Sequence, residues 1–437
     1  MYRPVSTKIA LLLVCFLAPI AARADVVKVV VDDTIHPMVA EHIGRAIQEA
    51  NRTHAEAVLI ELRTPGGLMD SMREIVQEIL ASPVPVIVYV TPAGSNAASA
   101  GFFILESADI AAMAPGTNTG AAHPIRGDGV AMDPVLKEKI ENDAAALMRS
   151  FAPKRGRNLE VAESAVRQSK SFSADEALSQ HLVDYIAKDE SDLFRQLDGK
   201  SVTRFDGSRI VLHTSSKAIR LYQMTIREEV LSWLMNPNLT FLLFSIGMLA
   251  LYAEFNHPGA VAPGVVGVIF IFLSLFAFHL LPTSYGALAL ILGAFVLFAV
   301  EVKFHTHGVV GAGGIAVMIL GALLLVDGPI PEMRIKWQTA IASSLSLGLI
   351  TIFLMSIALK ARRSKVTTGE QGLLGEVGVA SSPLTPSGQV FVHGELWNAV
   401  TSANLDAGTP VVVRGVKDLV LQVEPAPGAA STGQRNT

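Results

Sequence analysis

Five apolar blocks within residues 239–360 constrain this chain more than any other feature. They run Leu239–Tyr252, Val261–Leu281, Gly286–Val302, Gly308–Val326 and Gln338–Leu359. Several approach the ~20 residues that a helix needs to cross a bilayer, where each backbone polar group must be satisfied within the segment. The first is short unless it starts near Leu231, so the reading is five spans, with four as the alternative. Half of the 437 residues are hydrophobic and only 17% are charged, too apolar for a wholly soluble protein. Lys360, Arg362, Arg363 and Lys365 follow the last block, a basic cluster that fits a cytoplasmic flank. Arg334 and Lys336, in the last outer loop, weigh mildly against that orientation.

The N-terminus reads as a secretory signal peptide over residues 1–24. Arg3 and Lys8 supply the positive flank, Ile9–Leu17 the short apolar core, and Ala22-Arg23-Ala24 the small-residue cleavage site. A signal places the domain after it outside the membrane, and an odd number of spans then returns the C-terminus to the cytoplasm. The competing reading is an uncleaved anchor. Cys15 is the single cysteine; a bulky Val14 before it argues against a lipoprotein anchor. Cleavage after Ala24 leaves no cysteine, which excludes disulfides, thiol catalysis and Cys-ligated metal. A formal net charge of −4 offers no basic surface for nucleic acid.

Residues 25–230 read as an α/β domain. Strands at Val26–Val31, Ala57–Leu62, Val84–Val90 and Ile110–Met113 alternate with helices at Ile35–Asn51, about Met69–Leu80 and Ala97–Glu106, the pattern of a parallel sheet. Residues 133–150 and 159–169 read as further helices, and Ser173–Leu178 as a helix start. Residues 231–362 are the membrane region. In 366–425, short alternating runs at Gly372–Ala380, Gly388–Val392, Leu396–Thr401, Pro410–Arg414 and Val420–Val423 are separated by turn residues. They predict a small all-β barrel, most simply of OB type. The tail 426–437 is rich in small polar residues and reads as disordered.

Two glycine-rich turns carry the chemistry. Thr64-Pro65-Gly66-Gly67 and Pro92-Ala93-Gly94-Ser95-Asn96-Ala97-Ala98-Ser99-Ala100-Gly101 both follow strand ends, where open α/β sheets place their sites. A serine at a strand-to-helix turn, with small neighbours and free N–H groups at a helix start, suits a nucleophile. A tight Gly/Ala packing joint would use the same residues. Gly66 or Gly67 and Ala100 are the natural oxyanion donors, because backbone without bulky side chains approaches closely. Two candidate bases lie downstream: His123, in Gly120-Ala121-Ala122-His123-Pro124, and Lys139, in Glu138-Lys139-Ile140-Glu141-Asn142-Asp143. A lysine serves only if burial lowers its pKa toward neutrality. Chemistry alone does not choose between them.

The Thr-Pro-Gly-Gly turn, Ala97-Ala98-Ser99-Ala100-Gly101 and the Lys-x-x-Asn-Asp run resemble the ClpP-class serine proteases. Met113-Ala114-Pro115-Gly116-Thr117 and Gly156-Arg157-Asn158 fit the same pattern. The whole layout resembles the long form of the NfeD family, the membrane-bound partners of stomatin-like proteins. The resemblance implies a ClpP/crotonase-like α/β domain, a helical transmembrane bundle and an OB-fold barrel. It further implies Ser99 as nucleophile and Lys139 as its base, with Gly66, Gly67 and Ala100 as oxyanion donors; Asn96 stands where some relatives carry a second serine. His123 lies about where ClpP carries its histidine, so a Ser-His pair stays open. The implied activity is an endopeptidase cleaving hydrophobic segments of a stomatin/SPFH-type partner. The implied setting is a bacterial inner membrane, with the protease domain periplasmic, the barrel cytoplasmic and the chain at least dimeric. No cofactor or metal is implied.

An inactive membrane scaffold for the same partners is the alternative, and a crotonase-like acyl-CoA enzyme a third reading that secretion argues against. Among minor motifs, His305 and His307 read as interfacial residues rather than metal ligands. Glu254 and Glu301 fall at span ends, and the Gly311/Gly313/Gly314 cluster reads as a helix-packing surface. Phe391 and Trp397 of the barrel have few basic neighbours, which favours a protein-interaction role over binding single-stranded nucleic acid.

Overall fold

The computed structural model describes residues 25–125, 133–215, 217–256, 261–304, 306, 308–363 and 370–427. The predicted signal peptide with Cys15, His305 and His307, and most of the predicted tail lie outside these residues. The described residues fall into two compact units that divide between Ile352 and Phe353, so the α/β domain and most of the apolar helices form one body.

The α/β domain is built on β-branched runs. Its strands are β1 (Val26–Asp32), β2 (Ala57–Arg63), β3 (Val86–Val90), β4 (Asn96–Ala98), β5 (Ile110–Met113) and β6 (Asn118–Gly120). After them come β7 (Ser171–Ser173), β8 (Tyr185–Ile186), β9 (Ser201–Thr203), β10 (Arg209–Val211) and β11 (Ile219–Leu221). A six-stranded sheet runs in the order β11-β1-β2-β3-β5-β8, with every neighbouring pair parallel. Alternate residues of its central strands feed two cores. Val27, Val29, Ile60, Leu62, Val88 and Val90 face one of them, and Val26, Leu59, Ile87 and Tyr89 face the other. Burial on both faces explains why these strands read as continuous apolar runs. The edge strand β11 is exposed throughout and carries no such signal.

A second, three-stranded sheet, β4-β6-β7, stands beside the first. It corrects one expectation. The predicted helix Ala97–Glu106 is a strand over Asn96–Ala98 followed by a helix over Ala100–Ser107. Ala97 is drawn into the sheet by a bridge to Thr64 and by the Thr119 hydroxyl, which donates to its carbonyl at 2.8 Å. The chain therefore changes direction at Ser99.

Each of the five apolar blocks is a single helix: Pro237–Asn256, Ala262–Leu280, Tyr285–Phe304, Val309–Leu325 and Trp337–Arg363. The first two are long and apolar enough to cross a bilayer, and Tyr285–Glu301 and Val309–Leu325 are shorter apolar stretches. Glycines set the contacts. A Cβ on Gly267 would stand 2.8 Å from the Gly247 carbonyl, and one on Gly314 would stand 2.7 Å from Phe298, so these helices touch backbone to neighbour. Gly313, by contrast, faces open space. Glu301 is a helix cap: its carboxylate accepts from the N–H groups of Gly308 and Gly311, both at 2.8 Å, and from the Thr306 hydroxyl.

The C-terminal unit is a closed barrel of β12 (Val377–Ala380), β13 (Ser387–Val392), β14 (Glu395–Val400), β15 (Pro410–Lys417) and β16 (Val420–Pro425). The order β12-β13-β14-β16-β15, with β14 and β16 parallel, is the Greek-key closure of an OB-type barrel. Trp397 packs against its core, while Phe391 is exposed.

Candidate active site

Ser99 sits between β4 and the helix Ala100–Ser107 with φ 53° and ψ −113°, a conformation few L-residues adopt. Its own N–H donates to the Gly120 carbonyl at 2.9 Å, so the strained turn is tied to β6. The hydroxyl is left half-buried at the mouth of a cleft of about 330 Å³, lined also by Gly67, Ala100, Phe103, Met72 and Ile140.

The glycines of the upstream turn are required by close approach. Gly66 has φ 119°, and a Cβ there would lie 2.7 Å from Ser99 Cβ. One on Gly67 would lie 2.1 Å from the Ile35 carbonyl oxygen, which no relaxation of the turn accommodates. The donors differ in availability. The Gly66 N–H donates to Thr64 Oγ1 at 3.1 Å. Gly67 meets Ile35 in a parallel bridge that employs the Gly66 carbonyl and the Leu68 N–H, and leaves its own N–H unpaired among the described residues. The Ala100 N–H, at the first position of its helix, is likewise unpaired there. Of the three expected donors, Gly67 and Ala100 flank Ser99 with free N–H groups, and Gly66 supplies the room.

The two candidate bases lie elsewhere. His123 is partly buried, with Nδ1 3.0 Å from the Val166 carbonyl and Nε2 3.2 Å from Glu141 Oε1. Both ring nitrogens are engaged away from Ser99. Lys139 lies on the helix Pro134–Phe151 and is exposed. Its neighbour Ile140 and Asp143, one turn on, reach the cleft, and Asp143 is ion-paired with Arg73. Ser99 is thus brought together with Gly66, Gly67 and Ala100, while the Lys139 ammonium faces solvent in the single chain. Ser95 is buried and Asn96 lies within β4, so neither competes with Ser99.

Sequence reasoning missed three contributors. Thr64 was legible only as part of a motif, yet its buried hydroxyl fixes the turn by accepting from the Gly66 N–H. Pro282 and Pro329 line the same cleft from loops between apolar helices, and no local pattern marks them.

The far end of the serine helix is held by charge. Arg155 Nε donates to the Ser107 carbonyl at 2.8 Å and its guanidinium pairs with buried Asp109. Arg204 Nε lies 3.2 Å from the same carboxylate. Arg157, from Gly156-Arg157-Asn158, pairs with Asp184 at 2.6 Å. Glu106, fully buried on this helix, has its carboxyl pushed well above the usual carboxylate range by burial, an effect that nearby Arg157 partly opposes.

Comparisons with known proteins agree with this layout. Residues 25–195 match the family model of the NfeD1b N-terminal domain, 238–357 the NfeD integral membrane domain, and 370–425 the NfeD-like C-terminal, partner-binding domain. The chain is 32% identical over 431 residues to the membrane-bound protease PH1510 of Pyrococcus horikoshii, covering 95% of this chain and 97% of that one. It is 27% identical over 417 residues to the membrane protein NfeD1b of Bacillus subtilis, covering 88% and 89%. Among solved structures, the 1510-N membrane protease specific for a stomatin homolog from Pyrococcus horikoshii is 31% identical, with TM-score 0.42, covering 48% of this chain and 98% of that one. The chain belongs to the NfeD family, in its long form, and is a membrane protein. Its α/β domain, membrane helices and closed barrel make up the three-part fold that the sequence resemblance implied.

Proposed function

We propose that this protein is a membrane-anchored serine endopeptidase that cleaves hydrophobic segments of a stomatin-like membrane partner. The observation that carries the reading is Ser99: a serine at positive φ, at a helix start, flanked by the free N–H groups of Gly67 and Ala100 over an apolar cleft. A scissile carbonyl placed there meets a nucleophile and two preorganised oxyanion donors. The similarity to a membrane-bound protease along nearly the whole chain supports the reaction class, and the partner-binding family of the barrel supports a protein partner.

Lys139 is the proposed base. His123 is occupied at both nitrogens, whereas Lys139 shares its helix with two cleft-lining residues. Catalysis then requires that substrate or a second copy of the chain bring the amine from solvent into the cleft, since catalytic contacts often tighten only on binding. In the same proposal the α/β domain (25–230) is periplasmic, the 231–362 region lies in a bacterial inner membrane, and the 366–425 barrel is cytoplasmic.

The exposure of Lys139 is the observation that favours the second reading, a catalytically inactive scaffold for the same partners. A fluorophosphonate probe separates the two. The full chain is expected to label at Ser99 and to lose labelling and peptide cleavage in Ser99→Ala. An unlabelled chain, or a Ser99→Ala variant that still cleaves, overturns the protease.

A further inference from the structure

The cleft that holds Ser99 is not made by the α/β domain alone. Pro282, Asp327 and Pro329, which connect apolar helices, line it together with Gly67 and Ser99. These loops are fastened to each other. Thr283 and Val326 form an antiparallel bridge, the Ser284 N–H donates to the Leu325 carbonyl and the Asp327 N–H to the Pro282 carbonyl, both at 2.8 Å. Gly328 presses on the next turn, where a Cβ would stand 2.3 Å from the Met333 carbonyl oxygen, and Arg334 Nε donates to the Gly328 carbonyl at 2.9 Å.

The same loops are anchored to the α/β domain. Ile330, Met333 and Ile335 are buried in one apolar cluster with Met235 and Phe241 of the membrane region, and that cluster takes in Met38 and packs against Leu68. Leu68 directly follows Gly67. The hydrophobic core of the membrane region therefore ends one residue from an oxyanion donor, and the rigid loops rise from it as a wall of the cleft.

We infer that the paired loops Pro282–Ser284 and Asp327–Pro329 are part of the substrate-binding cleft, so that a peptide cleaved at Ser99 is taken at the bilayer surface. Loops that join consecutive membrane helices sit at that surface, so a scissile bond at Ser99 is held at the same height. The faces of Pro282 and Pro329 and the side chains of Leu68, Met72, Phe103 and Ile140 line this cleft together with the carboxylates Asp143 and Asp327. This inference rests on the peptidase reading of Ser99.

The test uses the full chain in lipid nanodiscs and an apolar decapeptide that it cleaves, carrying benzoylphenylalanine at successive positions. With Ser99→Ala, photocrosslinks are expected on the 282–284 or 327–329 segment for at least one position flanking the scissile bond. In the otherwise native chain, Pro329→Trp narrows the cleft and raises KM about tenfold with a smaller change in kcat. Tyr285→Ala, exposed beside the loop and outside the cleft, leaves KM unchanged. Crosslinks confined to the α/β domain together with an unaltered KM in Pro329→Trp overturn the inference and leave the peptidase standing. Cleavage that persists in Ser99→Ala overturns the reading beneath it instead.

Discussion

The two ends of the helix Ala100–Ser107 are built on opposite principles. At its start, backbone geometry does the positioning: a positive φ at Ser99, two glycines without room for a methyl group, and N–H groups unpaired among the described residues. At its finish, ionised side chains are packed out of water, with Arg155 on the Ser107 carbonyl and Asp109 beneath both Arg155 and Arg204. The open end is left under-satisfied and can act on a ligand; the buried end can only hold. The open turn and the buried ion pairs are thus separated by about two turns of one helix.

This contrast is open to attack from either end. Ser99→Ala is expected to lower kcat/KM on an apolar peptide by at least about 10³-fold with little change in thermal midpoint. A large loss of stability would show that the turn is a structural joint after all. Lys139→Ala is expected to lower kcat by about 10²–10⁴-fold, the range for a general base, against under about threefold for His123→Ala. The reverse order in steady-state assays would hand the role to the histidine.

At the buried end the effects belong to folding. Arg155→Ala leaves buried Asp109 with Arg204 as its remaining guanidinium and removes the donor to the Ser107 carbonyl, and is expected to cost about 3 kcal/mol in denaturant unfolding. A variant that stays fully folded yet loses activity would join the two ends functionally. Glu106→Gln is the smallest change, a gain of about 1 kcal/mol at pH 7. The sign follows from the raised carboxyl. Below the titration range of an unfolded glutamate both forms are neutral and the variant has no advantage. As pH rises, the unfolded state releases its proton while the folded state keeps it, so the wild type loses stability until the buried carboxyl ionises too. Thermal midpoints compared between pH 4 and pH 8 check it, and an advantage that shrinks as pH rises would contradict it.

Much of the turn around Ser99 was legible because it is written in residue size. Thr64-Pro65-Gly66-Gly67 and Ala97-Ala98-Ser99-Ala100-Gly101 can be small for few reasons, and close backbone approach is one that geometry bears out. The strand within Asn96–Ala98 was not legible, since three residues carry no period and their pairing to β6 is non-local. Lys139 shows the same divide. Its place on a helix follows from the sequence around it, but the direction of its amine depends on what packs there.

The sequence by itself determined the order of parts: apolar blocks that must be helices in a bilayer, β-branched runs that must be buried on both faces, and a closed barrel spelled in alternating residues. Each follows from periodicity and the solvation of the backbone, which act over a few turns of chain. Only the tertiary structure decided that the Gly67 and Ala100 N–H groups stand unpaired among the described residues while that of Gly66 is taken by Thr64, that His123 turns to Glu141, and that Pro282 and Pro329 line the Ser99 cleft. These arrangements bring together residues as far apart in the chain as Ser99 and Pro329. They are fixed by packing of whole surfaces, for which no local pattern carries the address.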